Sequence, residues 1–320
     1  MGKLLGTTGI IVGLLGAACN SSAPTGGFSA DAPRGHAEHF DASWSESPLW
    51  DDGQAEVAIY EARRPQYGKI ETYEAVFIVV KEEFDSRHFV KANPPLEGRR
   101  LTQVMKLNVQ HSYWTDRYPY NYLLSVFVAR QDPSHLIKLT LGGQEWCGNT
   151  FKEVRNWGSR PELIFHSYWD READGVRPLD LGRGDLLEDQ LPVALRSLKG
   201  EPGLEIEARI LPSLISNRVG ESSEFVPVTI RILGEESVET PAGSFAARKI
   251  AVQFAGTQQT WWFEKASPGM MLRMESSDRS SWRLKDRTRK PYWRVATFHP
   301  QMGPPPPAPG FAPDSGSQEE

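Results

Sequence analysis

The chain has 320 residues, 39% of them hydrophobic and 24% charged, with a formal net charge of −5. That length holds one large domain or two ordinary ones and is enough to bury a core. The negative balance excludes a surface dominated by nucleic-acid binding, and the two cysteines provide no disulfide framework, CxxC pair or zinc spacing.

Met1-Gly2-Lys3 is a short basic start, followed by an apolar run over Leu4–Ala18. At 1.5 Å per residue this run spans roughly 22 Å as a helix, short of the ~30 Å hydrocarbon core. It reads as a signal peptide over 1–18 rather than a membrane span. Gly16-Ala17-Ala18-Cys19 resembles a lipobox, with Gly16 where Leu is usual and Leu15 one place further back. The expectation is therefore a lipoprotein acylated at Cys19, with a plain secretory signal as the alternative. Losing Lys3 with the leader would make the net charge −6. Residues 19–49 are rich in Ser, Ala, Pro and Gly and read as a flexible tether, in which His36 and His39 are solvated.

The body is expected from about Trp50. Strands are expected at Glu56–Ala62 and along Tyr67–Phe84, where Tyr73, Ala75, Phe77 and Val79 share one face. Both faces of the second turn apolar towards its end, as in a strand covered twice. Leu101–Tyr113 and Asn121–Arg130 read as a strand pair, and Leu136–Leu141 as a strand stopped by Gly142-Gly143. Next, GQEWCGNTFKEVRNW reads as a turn fastened by Gln144, Glu145 and Asn149, with Trp146 filling core. A Cys147/His166 nucleophilic pair is imaginable there, but no third orienting group accompanies it.

Asp185–Lys199 is the clearest helix, with Asp185 and Glu188 spaced as a capping box and Leu187, Leu191, Ala194, Leu195 and Leu198 forming a stripe. Pro192 belongs in a first turn or at a kink. Asp185, Glu188 and Asp189 read as charges favoured at a helix N-terminus. Two alternating strands follow, at 204–210 and 226–232. The basic cluster Arg283, Lys285, Arg287, Arg289 and Lys290 reads as a solvated strand edge.

Val238–Glu275 gives the strongest signal, a turn and three strands. Thr240-Pro241-Ala242-Gly243 has Pro and Gly where a type I turn favours them. Ile250, Val252 and Phe254 alternate with Ala251 and Gln253, then come an aromatic strand with Trp261 and Trp262, a Ser-Pro-Gly turn, and Leu272 and Met274 on one face. Ile250, Val252, Phe254, Leu272 and Met274 are candidates to line an apolar hollow, joined by whichever of the two Trp faces inward. Gln301–Glu320, with PPPPAP, reads as part of a disordered tail over 299–320.

TPAGSFAARKI and WWFEKASPGMMLRME resemble the closing repeat of the bacterial envelope family catalogued as domain of unknown function 3108. QEWCGNTFKE and LEDQLPVALRSL are similar to bacterial proteins labelled septum formation inhibitor Maf, although the S-x-S-P-R-R start of authentic Maf enzymes is absent. The resemblance covers roughly 50–290. It implies an open β-barrel of the LolA/LolB type with an apolar hollow. The expected fold is thus mainly β: an antiparallel meander curved into an open barrel or β-clam, as one body over 50–298 or two halves (about 50–180 and 200–298), with one main helix near 185–199.

Three functions stay open at this point. One is an envelope lipoprotein, facing the periplasm or exterior, that binds a lipid or other amphiphile in the hollow. Another is a structural or interaction protein of the envelope without a cavity. The third is an enzyme, for which no P-loop, GxSxG, HExxH or Rossmann fingerprint is present. No cofactor, metal site or nucleic-acid partner is expected.

Overall fold

A computed structural model describes Gly2 and residues 37–157, 160–219 and 224–294. Cys19, the leader apart from Gly2, and residues 295–320 lie outside the described residues. The chain is mainly β, with one large curved sheet that does not close and a single short helix.

The strands are β1 Ala55–Gln66, β2 Lys69–Asp85, β3 Val90–Lys91, β4 Leu101–Trp114, β5 Pro119–Ala129, β6 Asp132–Glu145, β7 Gly148–Arg155, β8 Glu162–Ser167 and β9 Asp174–Pro178. After them come β10 Leu186–Leu187, β11 Glu205–Leu211, β12 Val226–Thr240, β13 Gly243–Phe254, β14 Thr257–Glu264, β15 Met271–Ser276 and β16 Ser281–Lys290. The order across the sheet is β10 through β16, then β1, β2 and β4 through β9, with β3 pairing β2. The first strand therefore lies against the last, Ala55 opposite Lys290 and Arg63 opposite Ser281. This joins the two β-rich halves into one sheet over one main core. It also corrects part of the reading of the basic cluster: β16 is internal and not an edge, while Arg283, Lys285 and Arg287 are solvent-exposed as expected. Arg283, Lys285, Arg287 and Arg289 pair with Glu61, Glu74, Glu264 and Asp52.

Alternation decides which side chains face inward. Tyr73, Ala75, Phe77 and Val79 on β2, Leu107 and Val109 on β4, and Ile250, Val252 and Phe254 on β13 are buried on the concave face. Towards one end the convex face is covered as well, by Phe84, Phe89, Val104, Phe127 and Ile137 in one cluster and Ala55, Val57 and Val80 in another. Gly142 and Gly143 do not stop β6, which runs through them to Glu145. Gly143 fits under the ring of Tyr122, where a Cβ would stand 3.1 Å from Cε1.

Two further expectations need correcting. The body starts before Trp50: Trp44 and Ser45 are buried, Asp41 N–H donates to the Ser197 carbonyl, and Lys199 N–H donates to the His39 carbonyl. The helix over 185–199 shrinks to one turn, α1 Leu191–Ala194, preceded by a 3₁₀ turn at Glu188–Gln190. Leu186 and Leu187 pair in parallel with Ile210 and Leu211 instead. Pro192, which lacks an N–H, stands in the first turn of α1. At the far end Arg248 takes the Leu195 and Leu198 carbonyls. The leucine stripe is real but is buried all round, because this segment lies inside the curve of the sheet.

Because the sheet is largely a meander, alternate turns collect at one end, termed the mouth end. They are Tyr67-Gly68, 115–118, Trp146-Cys147, 168–173, Ala255-Gly256 and 277–280. Tyr67-Gly68 and Ala255-Gly256 have positive φ at both positions, as a two-residue type I′ turn requires.

Arg196 fastens the inner segment to β1 through a bidentate pair with Glu56, at 2.7 and 3.1 Å, both side chains 3% exposed. Glu56→Gln breaks the pair and leaves a buried guanidinium, so it should lower unfolding free energy by about 3–5 kcal/mol. Replacing both charges, Glu56→Leu with Arg196→Met, should cost less. Urea unfolding of the two variants checks the order.

Candidate functional site

The concave face is mostly filled by the chain itself. Leu186, Leu187, α1 and the segment 212–219, with Leu214, Ile215 and Val219 buried, occupy it. The polar backbone of 212–219 must find partners away from water, and buried side chains supply them. Lys152 Nζ, on a residue 1% exposed, donates to the carbonyls of Leu214 and Arg218. Thr150 donates to the Asn217 carbonyl, and Arg64 to that of Ile215. Burial holds the Lys152 ammonium down to about 8.

Between this cover and the sheet remains a cavity of about 380 Å³. Its inner wall consists of two cross-strand rows, Phe77–Val109–Leu124 on β2, β4 and β5 and Trp261–Met274–Trp282 on β14, β15 and β16. Trp282 meets Phe77 and Trp261 edge-on, with centroids 5.2 and 5.9 Å apart. The outer part is polar. Ser213, Ala255 and Asp278 are its exposed lining residues, which places the opening at the mouth end.

Glu188 and Asp189 occupy the boundary between these zones. Glu188 accepts from Gln259 Nε2 at 2.6 Å and from the Ser213 N–H at 2.8 Å. Asp189 accepts from Ser213 Oγ at 2.6 Å and from the Leu214 N–H at 2.8 Å. Trp261 Nε1 donates to Gln259 Oε1 at 3.0 Å, so wall and carboxyl are linked through one amide. Burial, and then the charge of Asp189, push the Glu188 carboxyl up to about 7; burial also raises Asp189. On the far side His111 shares a 2.7 Å hydrogen bond through Nδ1 with Tyr73 Oη, while its Nε2 is buried without a protein partner. Burial and the nearby Arg64 charge hold its imidazole down to about 3, so it is neutral.

Of the five residues expected to line a hollow, Phe254 and Met274 line this cavity. Ile250, Val252 and Leu272 are buried at 0% exposure in closed packing beside it. Trp261 is the inward tryptophan. Trp262 lies on the opposite face, between Lys249 and Arg273, with Nε1 donating to Glu236. Glu188 and Asp189 do stand in the first turn of the 3₁₀ helix that leads into α1, but their carboxyls are turned onto 213–214, and Asp185 pairs with Arg209. Sequence reading missed Phe77, Val109 and Leu124 as lining residues, although their inward parity was readable on their strands. Nothing local marks Gln259 or His111.

The Cys147/His166 pair is not assembled. Cys147 Sγ lies 3.0 Å from Tyr118 Oη, and His166 Nδ1 lies 3.4 Å from Asp174. Trp146, expected in the core, is 73% exposed at a hairpin tip. The expected fastening is partly present: Gln144 pairs Asn149 across the β6–β7 hairpin, and Glu145 accepts from Asn217 Nδ2. Among the described residues no group of three or more His, Cys, Asp or Glu is placed to hold a metal ion.

Comparison with protein-family profiles, curated proteins and solved structures finds no match to this chain.

Glu188 binds its proton more tightly folded than unfolded. Its stabilising contribution is therefore complete below about pH 4.5 and lost as pH rises to about 7. Relative to Glu188→Gln, the wild type should lose about 3 kcal/mol across that window. Urea unfolding of both at a series of pH values tests this, and a flat difference would mean a solvated carboxyl.

Proposed function

We propose that this chain is a binding protein for a single-chain amphiphile, held at the envelope membrane through a lipid on Cys19. The observation that carries the reading is the cavity of about 380 Å³, with aromatic and aliphatic walls inside and polar groups towards its opening. That volume is at the low end of ligand pockets, which favours one chain or ring system over a two-chain lipid. An apolar body would lie between the Phe77 and Trp261 rows, and a hydrogen-bonding head beside Glu188, Asp189 and Ser213. Binding rather than catalysis is supported by what the carboxylates do: each already holds backbone or side chain of 213–214. The anchoring proposal rests on the LLGAAC sequence at the end of the apolar run.

Two bulky substitutions separate a ligand cavity from packed core. Met274→Trp adds volume on the cavity wall and should weaken a fluorescent fatty-acid probe at least tenfold with little change in thermal unfolding. Leu272→Trp overpacks a closed position and should cost roughly 1–3 kcal/mol or more. Absence of saturable wild-type binding across several lipid classes, with no lipid co-purified in native mass spectrometry, would remove the binding reading. For the anchor, Cys19→Ser should leave the chain unprocessed or move it from membrane to soluble fractions. An unchanged mass and partition would defeat it.

A further inference from the structure

Nine large apolar or aromatic side chains are prominently exposed among the described residues. Six of them, Tyr67, Leu123, Trp146, Phe151, Tyr168 and Val176, belong to the mouth-end part of β1–β9. Three crown separate hairpin tips: Tyr67 at 71%, Trp146 at 73% and Tyr168 at 62% exposure.

These rings are held in place. Tyr118 stacks on Trp146 with centroids 5.9 Å apart and on Tyr120 at 5.6 Å, and Tyr120 Oη lies 2.7 Å from Tyr67 Oη. Tyr168 covers Gly148 so closely that a Cβ there would stand 2.4 Å from its Cγ. Below the tips, Leu123 and Phe151 flank Gly142 in one row on the convex wall. Phe151 is three residues into β7 from Gly148, about 10 Å at the rise of a strand.

We propose that this end of the protein seats in the interface of a zwitterionic lipid bilayer, with Tyr67, Trp146 and Tyr168 at headgroup depth. Tyr and Trp join an apolar ring to a polar atom and favour the membrane–water boundary. The apolar band reaches about as far up the wall as interfacial elements sink, 5–10 Å. The exposed side chains project from several tips and continue around a wall, a shape suited to a deformable lipid surface more than to a flat protein patch. Charges of both signs alternate at the tips, as in Asp116-Arg117, Asp170-Arg171 and Asp278-Arg279, and several pair locally, Lys69 with Asp116, Arg171 with Asp170, and Arg218 with Glu172. No strong field of one sign is left to select a highly charged partner. The cavity opens at this same end, so seating would bring its mouth near the lipid surface; the seating itself does not depend on a ligand.

Cys147, exposed in the same tip as Trp146, provides the probe. In the full chain carrying Cys19→Ser it is the sole thiol, and it can be labelled with a polarity-sensitive fluorophore. Added phosphatidylcholine vesicles should shift the emission to the blue, and lipids brominated near the headgroup should quench it. About 0.5 M salt should change little, because screening removes only charge attraction. Trp146→Ser with Tyr168→Ser, labelled in the same way, should weaken partitioning roughly tenfold or more, with circular dichroism unchanged. A label on Val90→Cys in a Cys147→Ser background, at the other end of the sheet, should stay in water. Binding of the chain with the Cys147 label still aqueous would assign membrane contact to residues 1–36 and overturn the proposal. So would partitioning unaffected by the double substitution, or a shift produced by a protein partner and not by vesicles.

Discussion

The pairing of β1 with β16 is the constraint on which the rest of the structure depends. Each half alone is a meander with two free edges, and an unpaired edge leaves a row of N–H and C=O groups without partners. Zipping the first strand against the last removes one edge from each half and yields a single concave face. That face is too apolar to be left to water. Its curvature brings Phe77, on one side of the seam, against Trp282, on the other. The cavity thus belongs to neither half: one wall row comes from β2, β4 and β5 and the other from β14, β15 and β16.

Covering the concave face sets a second problem. The inner segment carries backbone that β-structure does not satisfy, and the chain answers with long polar side chains reaching in from the sheet. Lys152, Arg64 and Arg248 each extend under or beside it, while Arg196 reaches outward from it to Glu56 on β1. Asp189 returns two hydrogen bonds to 213–214. Buried charges of this kind stabilise weakly on balance, but removing one partner is costly because the other is left buried and unpaired. The space that remains is bounded by these fixed groups, which is why its polar end is sharply localised.

Much of the architecture is legible in the sequence. The period of two over β11, β12 and β13 is unambiguous, and the turn at Pro241-Ala242 announces itself. The helix fails for a physical reason: the spacing of Leu187, Leu191, Ala194 and Leu198 suits a one-sided stripe, but every side of this segment is buried. A stripe then no longer distinguishes a helix from an irregular chain packed inside a sheet. The candidate lining residues fail in part for a similar reason. Alternation tells which residues of β13 and β15 face inward, but not where the cover stops. Ile250, Val252 and Leu272 meet packed neighbours, whereas Phe254 and Met274 meet space. Trp146 reads as core by its composition, and only the hairpin that places it at a tip makes it surface. The β1–β16 seam leaves no local mark at all.

That seam has a consequence for the order in which the protein is made. Residue 55 cannot find residue 290 until nearly the whole described chain has left the ribosome. Through synthesis β1 therefore has β2 on one side and nothing on the other. Contacts so distant in sequence close slowly, since loop entropy is lost before they form. The growing chain carries an exposed, partly apolar strand throughout that interval, a template for pairing with neighbouring chains. Completion of the sheet thus waits on the last strand, and the full concave face forms only when synthesis is nearly over.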